Sequence, residues 1–437
     1  MSAHTLSTPP VAAANSTAEE RAAVLHTWTI QSHWNAPVIV GGEGAWFIDA
    51  EGRRYLDMSS MAECCNLGHQ HPKVVAAIKA QAEAMCYVQP GWGASPRTDL
   101  AQRLIEKSGL TGGRVFFSLA GADANENAVK FARWFTGKTK IITRYRSYHG
   151  ASHMTLDLGG DNRAWNTPTG FDGVVHALPP YCYRCPLGLK YPACDIRCAD
   201  HIADTIDYVG KDTVAAVLIE PHAGTNGIVA PPEYWPKVRE ICNRYGILLI
   251  ADEVMSGFGR VGEWFAWQKY GPENAPDIMT LAKGITGAHV PLGAVVVNQQ
   301  IAAYFDYHLL ESGLTYSGHP IGCAAGAAAV DAYEDENLVQ RSRDLGEWML
   351  NRLREMQVRL PSIADVRGQG LFAIVELTNY SWPATLPELK KLVAEGRKRG
   401  VSFAVRGNLI VLSPPLVITQ ADLAHGLDVM EELLRGA

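Results

Sequence analysis

Between residues 115 and 297 the chain alternates short apolar runs with stretches of helical periodicity. The runs at 115–119, 140–143, 215–219, 247–251 and 294–297 have the length and apolar content of strands, while 124–135 and 232–245 repeat apolar side chains at helical spacing. Parallel strands need a crossover of a dozen or more residues, usually a helix. The alternation therefore predicts an α/β fold with a mostly parallel sheet covered on both faces.

The flanks read differently. Trp46, Ile48, Tyr55 and Leu56 alternate around turn residues 49–53, which predicts a β-hairpin. Residues 72–87 place Val75, Ile78, Ala82 and Met85 at helical spacing, with Pro72 in the opening turn. Further on, the pattern gives helices at 321–333 and 338–356 and strands at 372–377 and 409–412, a smaller α+β lobe. At 437 residues the chain exceeds one compact core. The expected division is a flexible arm at 1–20, an N-terminal segment of the small lobe at 21–75, a large domain at 76–325 and a C-terminal small domain at 326–437. No repeat suggestive of a solenoid or propeller is visible.

Lysine plus arginine number 39 against 45 acidic residues, so no basic footprint points to nucleic acid or a membrane surface. No apolar run approaches the roughly 18–20 residues of a bilayer span. The first 19 residues have neither a basic start nor a continuous apolar stretch, so a soluble, cytoplasmic protein with reduced cysteines is expected.

In open α/β sheets, reactive groups gather beyond the carboxyl ends of the strands. After the first run comes Ala120-Gly121-Ala122-Asp123-Ala124-Asn125, a small-residue turn feeding a helix, where backbone N–H groups can approach a phosphate. On spacing alone it is equally an ordinary turn, and it is not the dinucleotide fingerprint. After the run at 247–251 stands Asp252-Glu253-Val254, and 31 residues beyond Asp252 lies Lys283. A carboxylate and an amine so placed suit pyridoxal 5′-phosphate, which needs an amine for its aldehyde and a carboxylate at its ring nitrogen. Tyr148, in Tyr148-His149-Gly150, offers a ring to stack on the pyridine.

These pieces resemble a class III aminotransferase of fold type I, from about Trp34 onward. The matching motifs are Tyr55-Leu56-Asp57, Asn66-Leu67-Gly68-His69, the Gly121–Asn125 turn, Tyr148-His149-Gly150, Ile219-Glu220-Pro221, Asp252-Glu253-Val254, Leu281-Ala282-Lys283-Gly284, Thr315-Tyr316-Ser317-Gly318-His319-Pro320 and Arg406. The resemblance implies that Lys283 holds the cofactor as a Schiff base, Asp252 pairs with its ring nitrogen, Val254 packs under the ring and Tyr148 over it. Gly121 and Ala122 bind the phosphate, Glu220 supports the ring, and Thr315 reaches the phosphate of a partner subunit, so a homodimer is implied. In place of the family's Ser-Gly-Ser-Glu-Ala turn, this chain has Ala120-Gly121-Ala122-Asp123-Ala124. Two hydroxyls are gone, and each lost charge-assisted bond is worth about 1.5–3 kcal/mol.

The implied reaction is transamination in two halves with ping-pong kinetics, the lysine serving as general base. Aminomutases, racemases and a decarboxylase share the same frame. A non-catalytic cofactor-binding protein is disfavoured, because Lys283 is present and no DNA-binding module is appended. The resemblance makes Arg406 the receiver of the oxo acid's carboxylate. Relatives that use glutamate park this arginine on a glutamate where this chain has Thr225. That substitution suggests an ω-amino acid or amine donor, such as β-alanine or taurine, with pyruvate favoured over 2-oxoglutarate. Glu63 falls where amine:pyruvate relatives carry a large aromatic, and a carboxylate there disfavours an anionic donor tail. Cys182, Cys185, Cys194 and Cys198 are spaced for a tetrahedral zinc site or for an insertion of free thiols, and the short gap of eight between the inner pair favours the second.

Overall fold

The computed structural model describes residues 16–167, 173–224 and 226–436. Its centre is a seven-stranded sheet in the order Arg114–Ser118, Gly293–Val297, Ile278–Leu281, Leu248–Asp252, Val214–Ile219, Lys140–Arg144, Val174–Ala177. Only Gly293–Val297 runs against the rest, pairing antiparallel with both neighbours. Every residue of Val214–Ile219 is buried, as a parallel strand covered on both faces requires. The helix Gly121–Thr136 covers one face, turning Ala124, Ala128, Val129, Phe131 and Ala132 inward.

All five expected strands of this sheet are present, and two more, Val174–Ala177 and Ile278–Leu281, complete it. Both are only four residues long, and each includes a polar side chain, His176 or Thr280. The helix expected at 72–87 ends at Ala84, because Met85 turns extended at φ −167°. The helix at Pro320–Asp335 is rich in small residues: a Cβ on Gly326 would come within 2.7 Å of Leu100 in the helix Ser95–Ser108.

The hairpin forms as expected, with Trp46–Asp49 antiparallel to Arg54–Asp57. Its sheet gains a strand from the far end of the chain, Val401–Ser402, with Val401 opposite Leu56. A separate antiparallel sheet holds Ile363–Gln369, Phe372–Leu377, Leu409–Leu412 and Ala404–Arg406 in that order. The small lobe thus draws on both ends of the sequence. Within the expected arm, residues 1–15 lie outside the described residues, and Thr17–Ala23 is a helix capped by Ser16, which accepts the Glu19 N–H at 3.2 Å. Among the described residues no helix is long and apolar enough to cross a membrane.

Candidate active site

The strands bearing the predicted residues run in one direction and end at one edge of the central sheet. A cavity of about 510 Å³ opens there, lined by Gly121, Ala122, Tyr148, Glu220, Asp252, Val254 and Lys283. Asp252 closes its strand and is held by three donors. Asn125 Nδ2 and His149 Nδ1 donate to Oδ2 at 2.8 and 2.7 Å, and the Val254 N–H donates to Oδ1 at 3.0 Å. Asn125 is itself fixed by the Thr280 hydroxyl, which donates to its Oδ1 at 2.7 Å. A carboxylate so restrained presents a fixed acceptor to whatever occupies the cavity.

Lys283 follows the strand Ile278–Leu281 by two residues, at a left-handed φ of 47°. Its Nζ donates to Glu63 Oε2 at 3.1 Å; its side chain is 24% exposed and that of Glu63 only 2%. Burial pushes the lysine amine down, but Glu63 and Cys64 outweigh it and the net shift is upward. Glu220 is buried at the end of Val214–Ile219, with Arg144 Nη2 donating to its carbonyl at 2.8 Å. Burial pushes its carboxyl up to about 7 despite His149 and Arg144 nearby.

The start of the helix at Gly121 explains the small-residue turn. Asp123 accepts the N–H groups of Leu119 and Ala120 at 2.7 Å each, leaving the N–H groups of Gly121 and Ala122 without intrahelical partners. A Cβ on Gly121 would lie 2.9 Å from Val254 Cγ1, so glycine allows the turn to close on Val254.

Three predicted residues lie outside the cavity wall. Glu63 sits behind Lys283, Arg406 is close enough to act on the charges of both, and Thr315 is exposed on the surface, its carbonyl accepting the Tyr87 hydroxyl at 2.8 Å. Thr225 lies outside the described residues. Residues not predicted also belong here: Arg163 stacks over the Tyr148 ring at 4.0 Å, and Arg144 braces Glu220. The available signal for Arg144 was its place at the carboxyl end of the strand Lys140–Arg144; Arg163 carries none. The four clustered cysteines border a separate void of about 20 Å³ and are free thiols. Among the described residues no group of three or more His, Cys, Asp or Glu is arranged to hold a metal.

The model of the family "Aminotransferase class-III" matches residues 30–434. The chain belongs to the class III aminotransferases. Among curated relatives, the uncharacterized aminotransferase YhxA of Bacillus subtilis is 36% identical over 89% of this chain and 90% of its own. A leucine/methionine racemase of Thermococcus litoralis is 35% identical over 91% of each. Among solved structures, a taurine:2-oxoglutarate aminotransferase from Bifidobacterium kashiwanohense, in complex with pyridoxal phosphate and glutamate, superposes with a TM-score of 0.91 at 35% identity, covering 97% of this chain and 98% of that one.

Class III aminotransferases use pyridoxal 5′-phosphate, and the residues of this aminotransferase fit it. The three-fold anchored carboxylate of Asp252 suits a protonated ring nitrogen, the helix start at Gly121 suits a phosphate, and the amine of Lys283, on the same cavity, suits the aldehyde.

Proposed function

We propose that this aminotransferase moves an amino group from an ω-amino acid or amine to an oxo acid, pyruvate in preference to 2-oxoglutarate, with Lys283 and Asp252 as its catalytic pair. The observation that carries the reading is the meeting of Lys283 and an anchored Asp252 on one cavity at the carboxyl edge of the sheet. When bound, the cofactor supplies an electron sink for the pair released at the substrate carbon. Asp252 would hold the proton at the ring nitrogen, Tyr148, Val254 and Glu220 would hold the ring, and Gly121 and Ala122 would take the phosphate. Lys283 Nζ moves the substrate proton.

Arg406 is held by its backbone opposite Leu409, and its side chain makes no hydrogen bond or ion pair among the described residues, which leaves the guanidinium available for an oxo acid's carboxylate. The taurine-using relative supports an ω-amino donor and makes 2-oxoglutarate the alternative acceptor. The protein acts as a cytoplasmic homodimer in which Thr315 serves the partner's site.

Borohydride should fix the cofactor onto Lys283, and a Lys283→Ala protein that still retains it covalently would sink the reading. A screen of amines against both acceptors then names the substrates. Arg406→Ala should lose activity with oxo acids while keeping the half-reaction with a carboxylate-free amine; equal loss in both would make Arg406 structural. The racemase relative favours a second reading, in which the proton returns to the same carbon. Loss of optical activity from a single amino acid without an acceptor would establish it.

A further inference from the structure

Four consecutive residues, Ser60, Met61, Ala62 and Glu63, sit at positive φ of 48°, 46°, 70° and 59°. L-residues enter this region singly and seldom in series. The carbonyl of Ser59 accepts the Glu63 N–H and that of Ser60 accepts the Cys64 N–H, both at 2.8 Å, so the segment closes a left-handed turn without a glycine.

The surroundings impose it. Arg260, fully buried, donates to Ser60 Oγ at 3.1 Å, Asn66 Oδ1 at 2.7 Å, and the carbonyls of Leu371 and Pro414 at 2.9 and 2.5 Å. Ser60 Oγ in turn donates to the Ser413 carbonyl at 2.6 Å. Backbone held away from its preference by such over-determination collects at functional sites. What this turn delivers is the Glu63 carboxylate: Oε2 stands 3.1 Å from Lys283 Nζ, and Oε1 is buried with no hydrogen-bond partner among the described residues.

We propose that Glu63 is a positioning residue acting through Lys283, its buried carboxylate steadying the ammonium that Lys283 becomes on taking the substrate proton. The proposal rests on Lys283 being the cofactor-bearing lysine. The proton leaves the substrate carbon that carries the nitrogen and goes to Nζ; Nζ returns it in the second half of the shift, and Glu63 stays ionised throughout. A carboxylate in this position makes the freed amine a stronger base.

The groups facing the pair agree. Burial pushes Lys283 down, while Glu63 and Cys64 raise it and Arg406 opposes them. Burial pushes Glu63 up, and Lys283, Arg406 and Arg260 together bring it below the ordinary carboxylate range. The same pairing has an opposite effect on the empty chain. An amine held as ammonium is a poor nucleophile toward an aldehyde, so Glu63 slows capture of the cofactor near neutral pH.

Glu63→Gln should therefore move two rates in opposite directions. In cofactor-free protein at pH 7, capture of pyridoxal phosphate should speed up about tenfold, because Lys283 loses the carboxylate that holds it as an ammonium. In loaded protein, the half-reaction with a single amine should slow about tenfold or more, with a larger isotope effect when the transferred hydrogen is deuterium. Glu63→Asp, which keeps the charge, should restore part of both. Both rates falling together, or neither moving, overturns the proposal. Should Glu63→Gln fail to fold, the pH dependence of Lys283 labelling by a small amine reagent in the cofactor-free parent decides instead: a half-labelling pH above that of an ordinary lysine is expected, and one below it overturns the proposal. The Lys283→Ala reduction experiment tests the underlying assignment separately.

Discussion

Asp252 and Glu253 are adjacent carboxylates with opposite surroundings. Asp252 faces the cavity, whereas Glu253 is fully buried and accepts the Ser256 hydroxyl at 2.5 Å and the Trp267 N–H at 2.9 Å. Burial pushes the Glu253 carboxyl from 4.5 to about 7, against those two hydrogen bonds. A carboxyl whose folded-state pKa exceeds its unfolded value stabilises the fold fully below the unfolded pKa, and that stability is lost as pH rises through the folded one. Between pH 5 and 8 the parent should therefore lose about 3 kcal/mol that Glu253→Gln does not. Thermal midpoints in matched buffers check this: the parent's should fall relative to the variant's as pH rises, and parallel curves would refute the assignment.

At the scale of elements, the helix Gly121–Thr136 opens on a residue chosen against helix propensity. Alanine at a helix interior is favoured over glycine by about 1 kcal/mol, yet a Cβ here would meet Val254, whose branched side chain has little room to yield. Gly121→Ala should keep the fold but raise the cofactor dissociation constant about tenfold or more, read by titrating pyridoxal phosphate into cofactor-free protein; unchanged affinity would show that Val254 does not support the ring. The same element shows what sequence reasoning reaches. Strands covered on both faces stand out as unbroken apolar runs, which is why Val214–Ile219 was legible. Ile278–Leu281 was not, since Thr280 interrupts it to orient Asn125, and Ile363–Gln369 carries Asp365 and Arg367 among its partly buried residues. Asp252 was readable as a candidate because it ends a legible strand, and Lys283 because an amine paired with such a carboxylate suits pyridoxal phosphate. The left-handed turn before Glu63 was not, because it has no glycine and its clamp, Arg260, comes from 200 residues away.

Over the whole molecule, the chain's two ends close on each other and on the site. Val401 pairs with Leu56, and Glu376 in the C-terminal sheet receives Arg184 of the cysteine-bearing segment at 2.7 Å and Arg367 at 2.8 Å. Thr315 is the predicted residue that this closure leaves outside. It belongs to a stretch between the helices Gln299–Tyr304 and Pro320–Asp335 that also exposes Tyr307 at 90%, Leu309 at 81% and Tyr316 at 53%. Large apolar side chains grouped on one exposed segment mark an interaction surface, and a second copy would bury them while bringing Thr315 to its neighbour's cavity. The parent should then sediment at twice the chain mass. Replacing Tyr307 and Leu309 together by glutamate should split the dimer and, because Thr315 no longer reaches a partner, release cofactor that the parent retains through gel filtration. A variant that stays dimeric places the interface elsewhere; one that becomes monomeric yet keeps its cofactor shows that each chain holds the phosphate alone.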